Sequence, residues 1–130
     1  MSNHPNHMRT ELRRVRYLGS ARSGTTGSMH MRLTSLALVP LTVGFVWLSL
    51  SLIGKPYEAA LATLSHPVTS IFLLLFILAG VYHMQLGVRN IIDDYVHDDH
   101  VKEWSLAANL FACFVVGIAC VYAVMRLSFM

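Results

Sequence analysis

The sequence predicts an all-α integral membrane protein, a three-transmembrane-helix bundle, and three observations carry that prediction. Hydrophobic residues make up 55% of the 130-residue chain and charged ones only 13%, a balance that suits lipid better than water as the solvent. The apolar residues gather into three long runs, each near the roughly 20 residues that a hydrocarbon core of about 30 Å asks of a helix. Short polar breaks separate the runs, so one compact bundle is all that this chain can build.

The first run spans Leu33 to Ile53, the second Pro67 to Ile92 and the third Trp104 to Leu127. Gly54-Lys55-Pro56 stops the first, because glycine turns the backbone and proline cannot continue a helix. Ser65-His66-Pro67 is a turn that starts the second, with proline in the opening turn where its missing N–H costs nothing. An acidic hinge from Asp93 to Glu103 is expected between the second and third. The chain thus divides into a basic arm over residues 1–32, whose first dozen residues read as a tail, and a membrane domain over 33–130. Trp47, Tyr57, Tyr95, Trp104 and Tyr122 fall near the predicted span ends, where amphipathic rings prefer to sit. Cys113 and Cys120 are seven apart on one helical face, about 10 Å from each other, too far for a disulfide, and read as packing residues.

Basic residues set the orientation. Arg9, Arg13, Arg14, Arg16, Arg22 and Arg32 stand before the first span against a lone Glu11, which predicts a cytoplasmic N-terminus. Lys55 alone marks the connection on the opposite side, and Arg89 and Lys102 flank the next one, which returns to the cytoplasm. Arg126 near the C-terminus is a mild violation. The formal charge of +3 comes mainly from the arm and reads as a topology signal with lipid headgroup contact. Nucleic-acid binding is excluded, since no soluble domain is present to carry it.

The second span holds the chemistry. An ionisable side chain inside a membrane span is costly to keep there and is read as functional by default. His83, Gly87, Asn90 and Asp94 fall within about 60° of one another on the helical wheel, with Phe76 and Gly80 beside them. Two glycines flanking a histidine leave a flat helix surface, enough for a planar macrocycle, and neutral imidazole is a common axial ligand of haem iron. The other reading of the same stripe is that Gly80 and Gly87 pack helices and His83 hydrogen-bonds a neighbouring helix. No second histidine is expected at the same depth: His66 lies at the far end of the span and His30 precedes the first span. A bis-histidine site would therefore need a partner subunit.

His83 lies about 14 Å from the cytoplasmic end of its span, and Asp94 and Tyr95 stand at the boundary itself. A tyrosine hydroxyl can donate a hydrogen bond to a carbonyl, and a carboxylate can orient a basic neighbour or relay a proton. That pair suits a quinone headgroup whose tail remains in lipid, and it equally suits an interfacial anchor beside an acidic loop.

Three spans in about 130 residues, the N-terminal Gly19-Ser20-Ala21-x2-Gly24-x7-Arg32-x-Thr34 pattern, and His83-x3-Gly87-x6-Asp94-Tyr95 together resemble the hydrophobic membrane anchor subunits of succinate dehydrogenase, respiratory complex II. The resemblance runs from Arg14 to the C-terminus. It implies half of a heterodimeric haem-binding anchor in a bacterial inner membrane. Its partners would be a cytochrome b556 subunit, an iron-sulfur subunit and a flavoprotein subunit, besides membrane lipid.

Residue by residue, the resemblance makes His83 an axial ligand of haem b, with the other ligand from the cytochrome subunit. It makes Tyr95 the hydrogen-bond donor to ubiquinone, Asp94 the acid beside it, and Arg32 a positive charge near the haem propionates, where the residue's own reading is a snorkelling end-of-span arginine. Bacterial relatives often carry a histidine and aromatic residues between the Gly24 and Arg32 positions, whereas this chain reads Thr25-Thr26-Gly27-Ser28-Met29-His30-Met31, so the resemblance does not carry over the local propionate contacts. The implied role is an anchor without an active site of its own, in the tricarboxylic acid cycle and aerobic electron transport. Two other functions fit the residues: the anchor of a fumarate reductase, and a cofactor-free scaffold or transporter subunit with His83 and Asp94 lining an ion path.

Overall fold

Hydrophobic run length becomes helix length in a computed structural model that describes residues 23–129. Four helices follow in order: α1 (Ser23–Leu52), α2 (Tyr57–Leu64), α3 (Pro67–Tyr95) and α4 (Asp99–Ser128). The described residues contain no strand. Three of the helices, α1, α3 and α4, are long and apolar enough to cross a membrane, which is the all-α, three-span architecture expected. Arg9, Arg13, Arg14, Arg16 and Arg22, with Gly19-Ser20-Ala21, lie outside the described residues.

The breaks work as their residues require. Gly54 adopts a φ of 78° just past α1, the left-handed conformation that glycine takes at no steric cost. His66 caps α3, its Nδ1 accepting from the Val68 N–H at 3.3 Å, and Pro67 opens the helix. Asp98 caps α4 by accepting from the Val101 N–H at 2.9 Å.

Three features differ from the hydropathy reading. Helix α1 already includes residues 23–32, because the polar stretch before Leu33 still satisfies its backbone as a helix, so His30 lies on α1 rather than ahead of it. The acidic hinge contracts to residues 96–98: charges end an apolar run without ending a helix. Asp93 stays helical, with Lys102 Nζ at 2.9 Å and Arg89 Nε at 3.7 Å. Helix α2, made of residues too few for a span, connects α1 to α3.

Helix α3 is the middle of a layer. On one side it meets α1, where a Cβ added at Gly44 would lie 2.8 Å from the tip of the Phe72 ring and Phe45 stacks on Phe76 at 4.6 Å. About half a turn away it meets α4, where Gly117 admits Val81, whose Cγ1 would lie 3.4 Å from a Cβ built there. Small residues that allow close approach are what helices in lipid use for packing.

Polar pairs complete the α3–α4 seam. Asn109 Nδ2 donates to the Gln85 carbonyl at 3.0 Å, and Cys113 Sγ donates to Asn109 Oδ1 at 3.4 Å. At the other end, Ser128 donates to Ser70 at 2.6 Å, and Ser70 donates to the Leu64 carbonyl at 3.1 Å, tying α4, α3 and α2 together. Both cysteines are free thiols, as the spacing requires.

Among the described residues the buried apolar side chains are only Ile92, Cys113 and Val124. A layer this thin buries too little apolar surface to be held by its own core in water. Its exposed leucines, valines and phenylalanines face what a membrane or a partner helix supplies.

Candidate functional site

Helix pairing sets the geometry around His83. Thr34 and His30 are one turn apart on α1, and the antiparallel packing of α1 on α3 brings them against His83 and Tyr82. Thr34 Oγ1 lies 2.9 Å from His83 Nδ1, and also 2.9 Å from the His30 carbonyl and 3.0 Å from the Met31 carbonyl. A threonine hydroxyl owns one proton, and in a helix it goes to the carbonyl three or four residues back. Thr34 Oγ1 then accepts from His83 Nδ1–H, which leaves Nε2 as the ring nitrogen turned away from α1.

The helix-to-helix hydrogen bond weighed for His83 from the sequence is therefore present at one nitrogen, and the other nitrogen is left for another partner. An imidazole oriented through one nitrogen by an oxygen is the arrangement in which histidine ligates a metal through the other.

The two glycines part company. At Gly87 an added Cβ would meet Met31 Cε at 3.5 Å, so this glycine is covered by α1 and serves helix packing. At Gly80 nothing lies within 4 Å. The flat surface expected on both sides of His83 is open only on the Gly80 side. Among the described residues no three His, Cys, Asp or Glu side chains gather as the cage of a four-coordinate zinc site, whereas one oriented imidazole is what an axial haem position uses. The donor set fits haem.

The remaining residues occupy separate places. Asp94 continues the His83 face, about 20° from it on the wheel and three turns on. Tyr95 ends α3 with 77% of its surface exposed, and its carbonyl accepts from His97 Nδ1 at 3.1 Å. Arg32 is exposed and lies about 160° round α1 from Thr34, so the helix does not bring it to His83. His30, given no role from the sequence, pairs with the Tyr82 hydroxyl at 2.7 Å.

Sequence comparison places the three-span chain among known proteins. A family model described as succinate dehydrogenase/fumarate reductase transmembrane subunit matches residues 6–121. The chain belongs to this family. Succinate dehydrogenase hydrophobic membrane anchor subunits are similar over most of their length. That of Paracoccus denitrificans is 33% identical over 111 residues, 85% of each chain. That of Rickettsia bellii is 26% identical over 109 residues, 83% of this chain and 87% of the relative. That of Rickettsia conorii is 24% identical over 116 residues, 88% and 92%. No solved structure matches at a significant level.

Within this transmembrane-subunit family the chain is a multi-pass membrane protein, and its sequence did not show Thr34 as the hydrogen-bond partner of His83. Thr34 stands in the Arg32-x-Thr34 pattern, but no role followed from it. The signal was its place on a helix destined to pair with α3. Tyr82 carried no signal, being one more aromatic in an apolar run.

Proposed function

We propose that the chain is the membrane anchor subunit of a succinate:quinone oxidoreductase, set in a bacterial inner membrane with its N-terminus in the cytoplasm. In that role it tethers a flavoprotein and an iron-sulfur subunit, pairs with a cytochrome b556 subunit, and serves the tricarboxylic acid cycle and aerobic electron transport. Family membership and the names of the three relatives support the anchor role. All three relatives are named for succinate dehydrogenase, which favours it over a fumarate reductase.

The observation that carries the cofactor reading is the 2.9 Å contact of Thr34 with His83 Nδ1. His83 would ligate haem b through Nε2, with the second ligand from the cytochrome subunit. Haem b, when bound, supplies a one-electron redox centre tuned by its axial ligands and their hydrogen bonds. Thr34 orients the imidazole by accepting from its Nδ1–H. Arg32 would meet carboxylates at the membrane surface, haem propionates among them, through the reach of its long side chain rather than from its backbone position.

The ubiquinone end belongs to other residues. The Tyr95 hydroxyl, exposed at the close of α3, would donate a hydrogen bond to a ubiquinone carbonyl, and Asp94 beside it would hold or pass a proton on reduction. Electrons from succinate would arrive through the iron-sulfur subunit. The chain itself would make and break no bond of succinate.

The test is the complex purified from membranes in mild detergent. Co-purifying flavoprotein and iron-sulfur subunits, with a bis-histidine haem spectrum that His83→Ala weakens or removes, are the expected result. A spectrum unaltered in His83→Ala rejects the ligand assignment, and a chain that purifies alone without colour supports the scaffold reading instead.

A further inference from the structure

A second polar pair stands beside the Thr34–His83 contact and joins the same two helices. His30 Nδ1 lies 2.7 Å from the Tyr82 hydroxyl, with the two rings 6.2 Å apart and tilted by 52°. His30 is one turn before Thr34 on α1, and Tyr82 is the residue before His83 on α3. The two pairs are also linked through the backbone, because one of the carbonyls within reach of Thr34 Oγ1 is that of His30, at 2.9 Å.

The directions in which these side chains leave their helices give the pairs a joint effect. Neighbouring residues of a helix diverge by about 100°, so Tyr82 and His83 leave α3 on two sides of the line toward α1, whereas His30 and Thr34, four apart, leave α1 only about 40° from each other. One hydrogen bond between two helices is a pivot, about which α3 can still turn on its own axis. Two bonds that diverge from α3 and converge on α1 form a clamp, since a turn that relaxes one stretches the other. A turn of α3 is what would swing the His83 ring and the direction in which Nε2 points.

Apolar packing does not supply this lock. Gly44 against Phe72 and Phe45 against Phe76 hold α1 on α3, but Phe76 lies about 10 Å along the helix from His83, and stacked rings can slide over one another where a hydrogen bond fixes distance and angle. Closer to His83, α1 offers Met31, which reaches Gly87 only with the methyl end of a flexible side chain, 3.5 Å from a Cβ built there. Tyr82 also starts about 15 Å inside the apolar run that ends at Ile92, where a phenol is costly to leave without a partner. His30 supplies that partner.

We propose that Tyr82 and His30 are positioning residues for the His83 ligand: their hydrogen bond fixes the rotation of α3 at His83, and with it the direction of Nε2. They act through the helix and not on the iron. The inference rests on the haem reading of His83 and deepens it, since the orientation and hydrogen bonding of an axial imidazole tune the centre that it ligates.

The test uses the complex purified from membranes and reads haem content, the low-spin ferric EPR g-values, the haem midpoint potential and the thermal midpoint. Tyr82→Phe removes the hydroxyl and keeps the ring. Its loss of haem should stay below the roughly 10-fold that marks removal of a direct partner of a ligand, while the g-values and potential of the retained haem shift. His30→Leu should give the same shifts, and the double variant no more than either alone, as the two ends of one bond do. His30→Asn, whose amide can stand where Nδ1 stands, should return toward the native values, and the contrast of His30→Leu with His30→Asn decides the point if Tyr82→Phe fails to assemble. A pair that merely stabilises the fold would lower the thermal midpoint and leave the g-values of the retained haem native. That result, additive shifts in the double variant, or no rescue by His30→Asn would each overturn the positioning role. The ligand assignment is read separately, from loss of the haem band in His83→Ala, and stands even where Tyr82→Phe is silent.

Discussion

Thr34 on α1 and His83 on α3 are 49 residues apart in the chain and 2.9 Å apart in space. The hydroxyl sits between two backbone carbonyls that take its proton and an imidazole that gives one, so a single threonine orients the ring.

Removing that hydroxyl without changing shape is the direct test. Thr34→Val should leave the chain in the membrane but lower haem retention about 10- to 100-fold, the range for loss of an outer-shell partner of a ligand, or shift the midpoint potential of what remains. Thr34→Ser should behave as the native protein. Redox titration of the Soret band in the purified complex measures both, and a Thr34→Val protein with native haem content and potential would sever Thr34 from the cofactor.

Hydropathy made the three spans legible because lipid demands length and apolarity from each helix by itself, a property that one stretch of sequence carries alone. Gly54 and Pro67 marked breaks by local backbone chemistry for the same reason. The pairing of helices was not legible. Nothing local to Thr34 says that α3 lies against it, and Gly80 and Gly87 look alike on a wheel although Met31 covers only the latter. The contraction of the acidic hinge was hidden too, since Asp93 finds its partners, Lys102 and Arg89, only once the helices are built.

At the C-terminal end of α3, Tyr95→Phe deletes one exposed hydroxyl. The expected outcome is lower quinone reductase activity with succinate oxidation by an artificial acceptor preserved. Assaying both activities on one preparation separates the cases, because equal loss of both would indicate failed assembly rather than a lost hydrogen bond.

Asn109 is buried at 8% exposure, donating to the Gln85 carbonyl and accepting from Cys113. Asn109→Ala should destabilise the α3–α4 seam by about 1 kcal/mol, within the range measured for interhelical hydrogen bonds in membranes. Thermal denaturation in detergent should show the loss. An undiminished midpoint would mean that lipid-facing packing alone holds this seam.

The glycine most tightly covered by a neighbouring helix, Gly44, makes the sharpest steric prediction. A Cβ at Gly44 would lie 2.8 and 2.9 Å from the Phe72 ring, whereas one at Gly80 meets nothing within 4 Å. Gly44→Ala should therefore push the ring aside and cost about 1 kcal/mol, at the low end for overpacking because a side-chain tip can move. Gly44→Ala combined with Phe72→Leu should recover part of the loss, since the obstructing ring is gone. Gly80→Ala should leave the thermal stability of the chain as it is, but if a haem lies against that open surface, Gly80→Leu should lower haem content while the protein stays folded. Measuring stability and Soret absorbance on both glycine series distinguishes a surface kept clear for a cofactor from one that is merely unpacked. Full haem occupancy in Gly80→Leu would place the macrocycle on another side of His83.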